Sequence, residues 1–239
     1  SQVYISKFRK LFIISHNEHV MKRLESSFFY NPEYARDFKS EEYEKYIQYQ
    51  LKRFDLKKTH TRAQEYYQEV SQHILKHLGT IQKEAFMVCL GARNNWEKRQ
   101  FNIFLNSAKR EIRIHSLDIG KQRRNSRKDK DITEQCDYIM DFNNMPEEWA
   151  NKWDITFSNS IDHAISATET FREWLRITKP GGLLIIGFFD VWKGSSNQHD
   201  CAIFEKENID SFFKKNEEYT VLDSFQVGNY YHKILRKNT

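Results

Sequence analysis

Four stretches of this chain bring together residue types that can do chemistry. In the first, the apolar run Phe86-Met87-Val88-Cys89-Leu90 stops at Gly91, passes through Ala92-Arg93-Asn94-Asn95, and opens into Trp96-Glu97-Lys98-Arg99-Gln100-Phe101. That order reads as strand, tight turn and helix. The backbone N–H groups of such a turn and the helix N-terminus face a ligand at close range, and nucleotide-like ligands gather there. The second is a carboxylate, Asp118, placed 118 − 91 = 27 residues after the glycine, at the end of His115-Ser116-Leu117-Asp118. An acid after the second strand can accept hydrogen bonds from ribose hydroxyls. Asp141-Phe142, after another apolar run, pairs an acid with an aromatic ring. The fourth, Ser158-Asn159-Ser160-Ile161-Asp162-His163, offers hydroxyls, an amide, a carboxylate and an imidazole in six residues, and His199 lies further on in Ser195-Ser196-Asn197-Gln198-His199-Asp200-Cys201.

The elements that would position these groups alternate. Strand-like runs fall at 86–90, 112–117, 136–140, 153–158, 183–188, 220–226 and 230–235, and helix-like runs at 96–108, 146–151, 166–178 and 206–215. Alternation of this kind implies βαβ crossovers and a mostly parallel sheet covered on both faces. Only Val227-Gly228-Asn229 separates the last two strands, a hairpin length, so the seventh should run antiparallel to the sixth. Residues 1–80 carry helical periodicity at 41–58 and 63–78 and no sheet signal, with Gly79-Thr80 ending the second helix. They predict a helical extension beside the binding edge of an α/β domain at 81–239.

Seven strands ending in a hairpin resemble the class I S-adenosylmethionine-dependent methyltransferase fold, in which the seventh strand inserts antiparallel between the fifth and sixth. The resemblance spans about residues 81–237 and rests on four motifs in family order. These are Leu90-Gly91-Ala92, Asp118, Asp141-Phe142, and Trp174-Leu175-Arg176-Ile177-Thr178-Lys179-Pro180-Gly181-Gly182-Leu183-Leu184-Ile185-Ile186. It implies S-adenosylmethionine as cofactor and S-adenosylhomocysteine as product. The glycine turn would approach the methionine part, Asp118 and Ile119 the ribose, and Asp141 and Phe142 the adenine. Arg93 and Asn94 in the turn, Glu97 at the helix start, and Ser158, Asn159 and Ser160 after the fourth strand complete the implied cofactor set. The first motif departs from the family pattern: Cys89 stands where an acid is usual, and Arg93 and Asn95 replace the second and third glycines. Asn tolerates the left-handed conformation, so the turn can still form.

The tetrapeptide Ser158-Asn159-Ser160-Ile161 lacks the prolines of enzymes that methylate exocyclic amines, and no Asn follows Asp190 as metal-dependent catechol-type enzymes require. Transfer to oxygen without a metal is the remaining expectation. His163 is the candidate general base, since an imidazole of pKa about 6.5 is largely neutral near pH 7. His199 is the second candidate, and Asp162 is expected to cap the following helix.

Composition narrows the partners. The chain has 239 residues, 39% hydrophobic and 15% aromatic, which fits a globular protein with a sizeable core. No apolar run approaches the ~20 residues of a bilayer span, and the first residues do not read as a signal peptide. Three cysteines without metal-type spacing imply reduced thiols and a cytoplasmic protein. His16/His19 and His73/His77 sit at helical spacing, but no local third ligand accompanies either pair. Net charge is +5, and six of the ten residues 121–130, KQRRNSRKDK, are basic. That run reads as a solvated loop or as a grip on phosphate. The leading expectation is O-methylation of a small polar metabolite, a sugar or a phosphate-bearing intermediate. An RNA methyltransferase using the 121–130 loop and a non-catalytic scaffold are the alternatives.

Overall fold

The structure is a computed structural model. It describes residues 28–30, 45–48, 50–51, 62–79, 84–92, 95–106, 111–120, 136–189, 202–204, 209–210, 213 and 217–239.

Seven strands form one sheet: β2 (Glu84–Leu90), β3 (Glu111–Asp118), β4 (Tyr138–Ile139), β5 (Trp153–Ser158), β6 (Thr178–Phe189), β8 (Tyr219–Val227) and β9 (Tyr230–Lys237). Their order is β4-β3-β2-β5-β6-β9-β8. The four junctions from β4 to β6 are parallel, and β9 runs antiparallel to both β6 and β8. The seventh strand of the sheet therefore lies between the fifth and sixth, as the resemblance implied. A separate two-stranded ribbon pairs β1 (Phe28–Tyr30) with β7 (Ala202–Phe204), so the N-terminal extension does contain a strand.

Alternation along the strands explains why both faces are buried. Val88 and Leu90 of β2 join Leu184, Ile186 and Phe188 of β6 in one cluster beneath helix α3 (Ala167–Ile177), through Phe171 and Trp174. Met87 and Cys89 join Ile155, Phe157, Leu183 and Ile185 in the other. That second cluster is roofed by α1 (Gln64–His77), through Tyr67, Val70 and Ile74, and by α2 (Trp96–Asn106), through Phe101 and Leu105.

Several boundaries differ from the sequence reading. The run expected at 136–140 pairs only through Tyr138 and Ile139, and the helix expected at 146–151 is a single 3-10 turn, Glu147–Trp149, after Pro146. The helix expected to end at Thr178 ends at Ile177, and the chain enters β6 directly, with Thr178 opposite Trp153. Gly181 has φ +76°, and a Cβ on Gly182 would meet the backbone oxygens of Asp154 and Lys179 at 2.9 Å, so this corner admits only glycine. Ser166, rather than Asp162, caps α3, accepting from the Glu169 N–H. Most of 206–215 lies outside the described residues.

Candidate active site

The parallel register brings the ends of β2, β3 and β5 to one edge: Leu90 lies opposite both Leu117 and Ser158. The Ala92 N–H donates to the Leu117 oxygen at 3.0 Å, tying the turn after β2 to the residue before Asp118. Gly91 has φ +71°, and a Cβ there would sit 2.8 Å from both Cβ and Oγ of Ser160 and 3.4 Å from the Phe142 ring. Glycine at 91 is thus fixed by backbone conformation and by crowding together. Asn95 adopts φ +48°, the left-handed state that its amide tolerates, and its oxygen accepts from the Arg99 N–H to start α2.

Asp118 is buried at the end of β3, and its Oδ1 accepts from the Gly120 N–H at 3.1 Å, while Ile119 beside it is half-buried. Asp141 accepts from the backbone N–H and the side-chain amide of Asn143 at 2.9 and 2.6 Å. Phe142 packs edge-on against Trp174, whose indole N–H donates to the Phe142 oxygen at 3.0 Å. Ser158 donates to the Leu90 oxygen at 3.0 Å and Ser160 lies against Gly91, so the loop after β5 is sewn to the glycine turn. The expected residues Leu90, Gly91, Ala92, Asp118, Phe142, Ser158 and Ser160 are brought together. Arg93, Asn94, His199 and the basic run 121–130 lie outside the described residues.

Glu97, in the first turn of α2, anchors a buried polar cluster. Its Oε1 accepts from Arg62 Nη1 at 3.2 Å, Tyr67 OH at 3.3 Å and Asn159 Nδ2 at 2.8 Å. Its Oε2 is buried with no hydrogen-bond partner among the described residues. Burial raises the Glu97 pKa, against the opposing pull of Arg62 and of the Asn159 and Tyr67 hydrogen bonds. Arg62 also donates to Tyr230 OH at 2.7 Å and stacks 4.5 Å over that ring. Tyr66 meets His232 Nε2 at 2.8 Å, and burial pushes the His232 pKa down to about 3, so this ring is neutral. Arg62, Tyr66, Tyr67, Tyr230 and His232 were not singled out by sequence reasoning. The aromatic pair opening α1 was the sole local signal, and nothing in it points to Glu97.

His163 lies in the 3-10 turn Ile161–His163, half-buried, with its Nδ1 2.7 Å from Tyr46 OH. Tyr46 comes from the N-terminal extension, whose described residues 45–48 and 50–51 are helical. His73 and His77 both meet Asp223 Oδ2 on β8, at 3.0 and 2.9 Å, and tie α1 to the sheet. Among the described residues no three His, Cys, Asp or Glu side chains are grouped to hold a metal ion. Cys89 and Cys136 are buried free thiols, Cys136 raised by burial to about 12. Among the described residues no helix is long and apolar enough to cross a membrane.

No protein-family model matches the sequence, and no curated protein does. Solved structures do match. The CurJ carbon methyltransferase is similar over 72% of this chain and 54% of its own, at 13% identity and TM-score 0.54, so this chain spans about half of that protein. The Burkholderia thailandensis 1,6-didemethyltoxoflavin-N1-methyltransferase, solved with its substrate and S-adenosylhomocysteine, is similar over 73% of this chain and 79% of its own, at 14% identity and TM-score 0.52. The PH0226 protein of Pyrococcus horikoshii is similar over 78% of this chain and 99% of its own, at 18% identity and TM-score 0.51. At these identities the likeness establishes the fold: the chain has the α/β fold of S-adenosylmethionine-dependent methyltransferases.

Proposed function

We propose that this chain is an S-adenosylmethionine-dependent methyltransferase that methylates an oxygen of a small polar metabolite. The observation that carries the reading is the shared edge of Gly91 and Asp118: a positive-φ glycine wedged against Ser160, beside a buried carboxylate one strand away. The fold and the cofactor found in the Burkholderia neighbour support it.

The residues fit the cofactor. Gly91 leaves only backbone at the turn, Asp118 and Ile119 would meet the ribose, and Asp141 and Phe142 would meet the adenine. Glu97 Oε2, which has no hydrogen-bond partner among the described residues, suits the ammonium of the methionine part, and Leu90, Ala92, Ser158, Asn159 and Ser160 would form the adjoining walls. When bound, the cofactor supplies a sulfonium methyl already activated for transfer. The chain then has to align an oxygen nucleophile and exclude water. His163, beyond Ser160 on the same loop, is the imidazole that meets the acceptor.

Calorimetry with S-adenosylmethionine and S-adenosylhomocysteine tests this reading. Binding of both is expected, and no heat at millimolar ligand would overturn it. Asp118→Ala should weaken S-adenosylhomocysteine roughly 10- to 100-fold, the range expected for losing hydrogen bonds to a charged acceptor. Unchanged affinity would remove Asp118 from the ribose.

A further inference from the structure

We propose that Arg62 couples the N-terminal extension to cofactor binding: it orients Glu97 for the ammonium at the methionine end, so that loading the cofactor and docking the extension strengthen each other. This deepens the methyl-transfer reading above and rests on it.

The two oxygens of Glu97 are treated unequally. Arg62 Nη1, Tyr67 OH and Asn159 Nδ2 all donate to Oε1, at 3.2, 3.3 and 2.8 Å. Oε2 accepts from no group among the described residues, although Glu97 is 4% exposed. Three donors on one oxygen hold the carboxylate in a single orientation, and the buried oxygen left bare calls for a ligand that brings N–H groups and positive charge together. Its place is the methionine end of the site. Asn159 joins Glu97 to Ser160, whose Oγ donates to the Asn159 oxygen at 3.3 Å, and Ser160 is the residue wedged against Gly91.

Arg62 precedes α1 and is held by two other elements. Its backbone oxygen accepts from the Trp96 indole N–H at 3.1 Å, its Nη1 reaches Glu97 on α2, and its Nη2 donates to Tyr230 OH on β9 at 2.7 Å. The chain entering α1 is thereby pinned to α2 and β9 by the cation that faces Glu97. Tyr66 and Tyr67 of α1, Cys89 of β2 and Tyr230 of β9 interact with the same carboxylate as neutral groups, and Asp118 of β3 as a second acid. Burial raises the Glu97 pKa and Arg62 opposes the rise, so removing the guanidinium favours a protonated carboxyl, which offers an ammonium no charge. Arg62 is a positioning residue acting through Glu97. Because coupling between two binding events is reciprocal, a ligand that engages Oε2 must also tighten the segment that holds Oε1.

Hydrogen exchange on the wild-type protein tests the coupling without a variant. Saturating S-adenosylhomocysteine should slow the amides of α1 about fivefold or more, the lower end of ordinary coupling between sites. Saturating 5′-methylthioadenosine, which keeps the adenosine and the sulfur but lacks the amino-acid end, should leave them unchanged. Equal slowing by both ligands, or by neither, overturns the proposal. In Arg62→Gln, affinity for S-adenosylhomocysteine should fall and then climb with pH, approaching about tenfold per unit, because binding must expel a proton from Glu97. Affinity for 5′-methylthioadenosine should keep its wild-type pH profile, and Arg62→Lys, which retains the cation, should recover most of the loss. A uniform loss for both ligands at every pH would mark Arg62 as merely structural and overturn the proposal. Calorimetry on the wild type separates the two readings: no heat with S-adenosylhomocysteine sinks the methyl-transfer reading, whereas heat with unchanged exchange in α1 sinks only this proposal.

Discussion

Glu97→Gln probes the polar cluster under the N-terminal extension. The amide oxygen can still accept from Arg62, Tyr67 and Asn159, so those three bonds survive in geometry. What goes is the charge opposite Arg62, and the new amide N–H₂ takes the place of Oε2, where no partner stands among the described residues. A buried donor left unmatched costs roughly 1–3 kcal/mol. At about 2–4 °C per kcal/mol for a chain of this size, the melting temperature should fall by about 2–12 °C. The pH dependence carries the sharper sign. Burial holds the folded Glu97 carboxyl above its unfolded value, near 4.3. The stability this contributes is complete below the unfolded pKa and is lost as pH rises through the folded one. A neutral amide has no such window, so the variant's deficit should be largest near pH 4 and shrink as pH climbs. Urea denaturation at several pH values measures it. A deficit that is constant, or that grows with pH, would refute the assignment of Glu97 as a carboxyl raised by burial.

Gly91→Ala should destabilise by roughly 1–3 kcal/mol, because L residues strain at φ +71° and the new methyl meets Ser160 at 2.8 Å. It should also abolish measurable S-adenosylhomocysteine binding, and full affinity would separate the turn from the cofactor. Asp223→Asn should loosen α1 from β8 by roughly 1–3 kcal/mol, read as faster hydrogen exchange in α1. Bonds from His73 and His77 hold the Asp223 pKa down despite a burial penalty, so this stability is present above the unfolded carboxylate pKa and is lost as pH falls. Buried His232, neutral down to about pH 3, should make the wild type lose stability as pH falls from 6.5, because only the unfolded imidazole takes up the proton. His232→Gln should flatten that part of the stability profile.

The alternation of strands and helices was legible in the sequence because hydrophobic runs of strand length, separated by helical spacing, bury both faces of a mostly parallel sheet; the place of the last strand between the fifth and sixth came from the resemblance. The antiparallel ending was legible because three residues cannot make a crossover. Gly91 and the Gly181-Gly182 corner could be read as turns from residue type alone. Their necessity came from contacts with Ser160, and with the backbone at Asp154 and Lys179, which only the assembled sheet creates. The third strand and the turn at Glu147–Trp149 were expected where they lie but longer than they are, because local propensity does not say how many residues find a partner.

Gly91 and Asp118 belong to motifs that lie at strand ends, so sequence alone was enough to put both at one edge of the sheet. Sequence could not show that Arg62 would meet Glu97 or that Tyr46 would meet His163. The latter two are 117 positions apart, and their hydrogen bond exists only because the extension folds back over the sheet. Side-chain chemistry names what a histidine can do. Its partner in space decides which nitrogen carries the proton, and that choice is made by tertiary structure because a neutral imidazole has one proton for two positions.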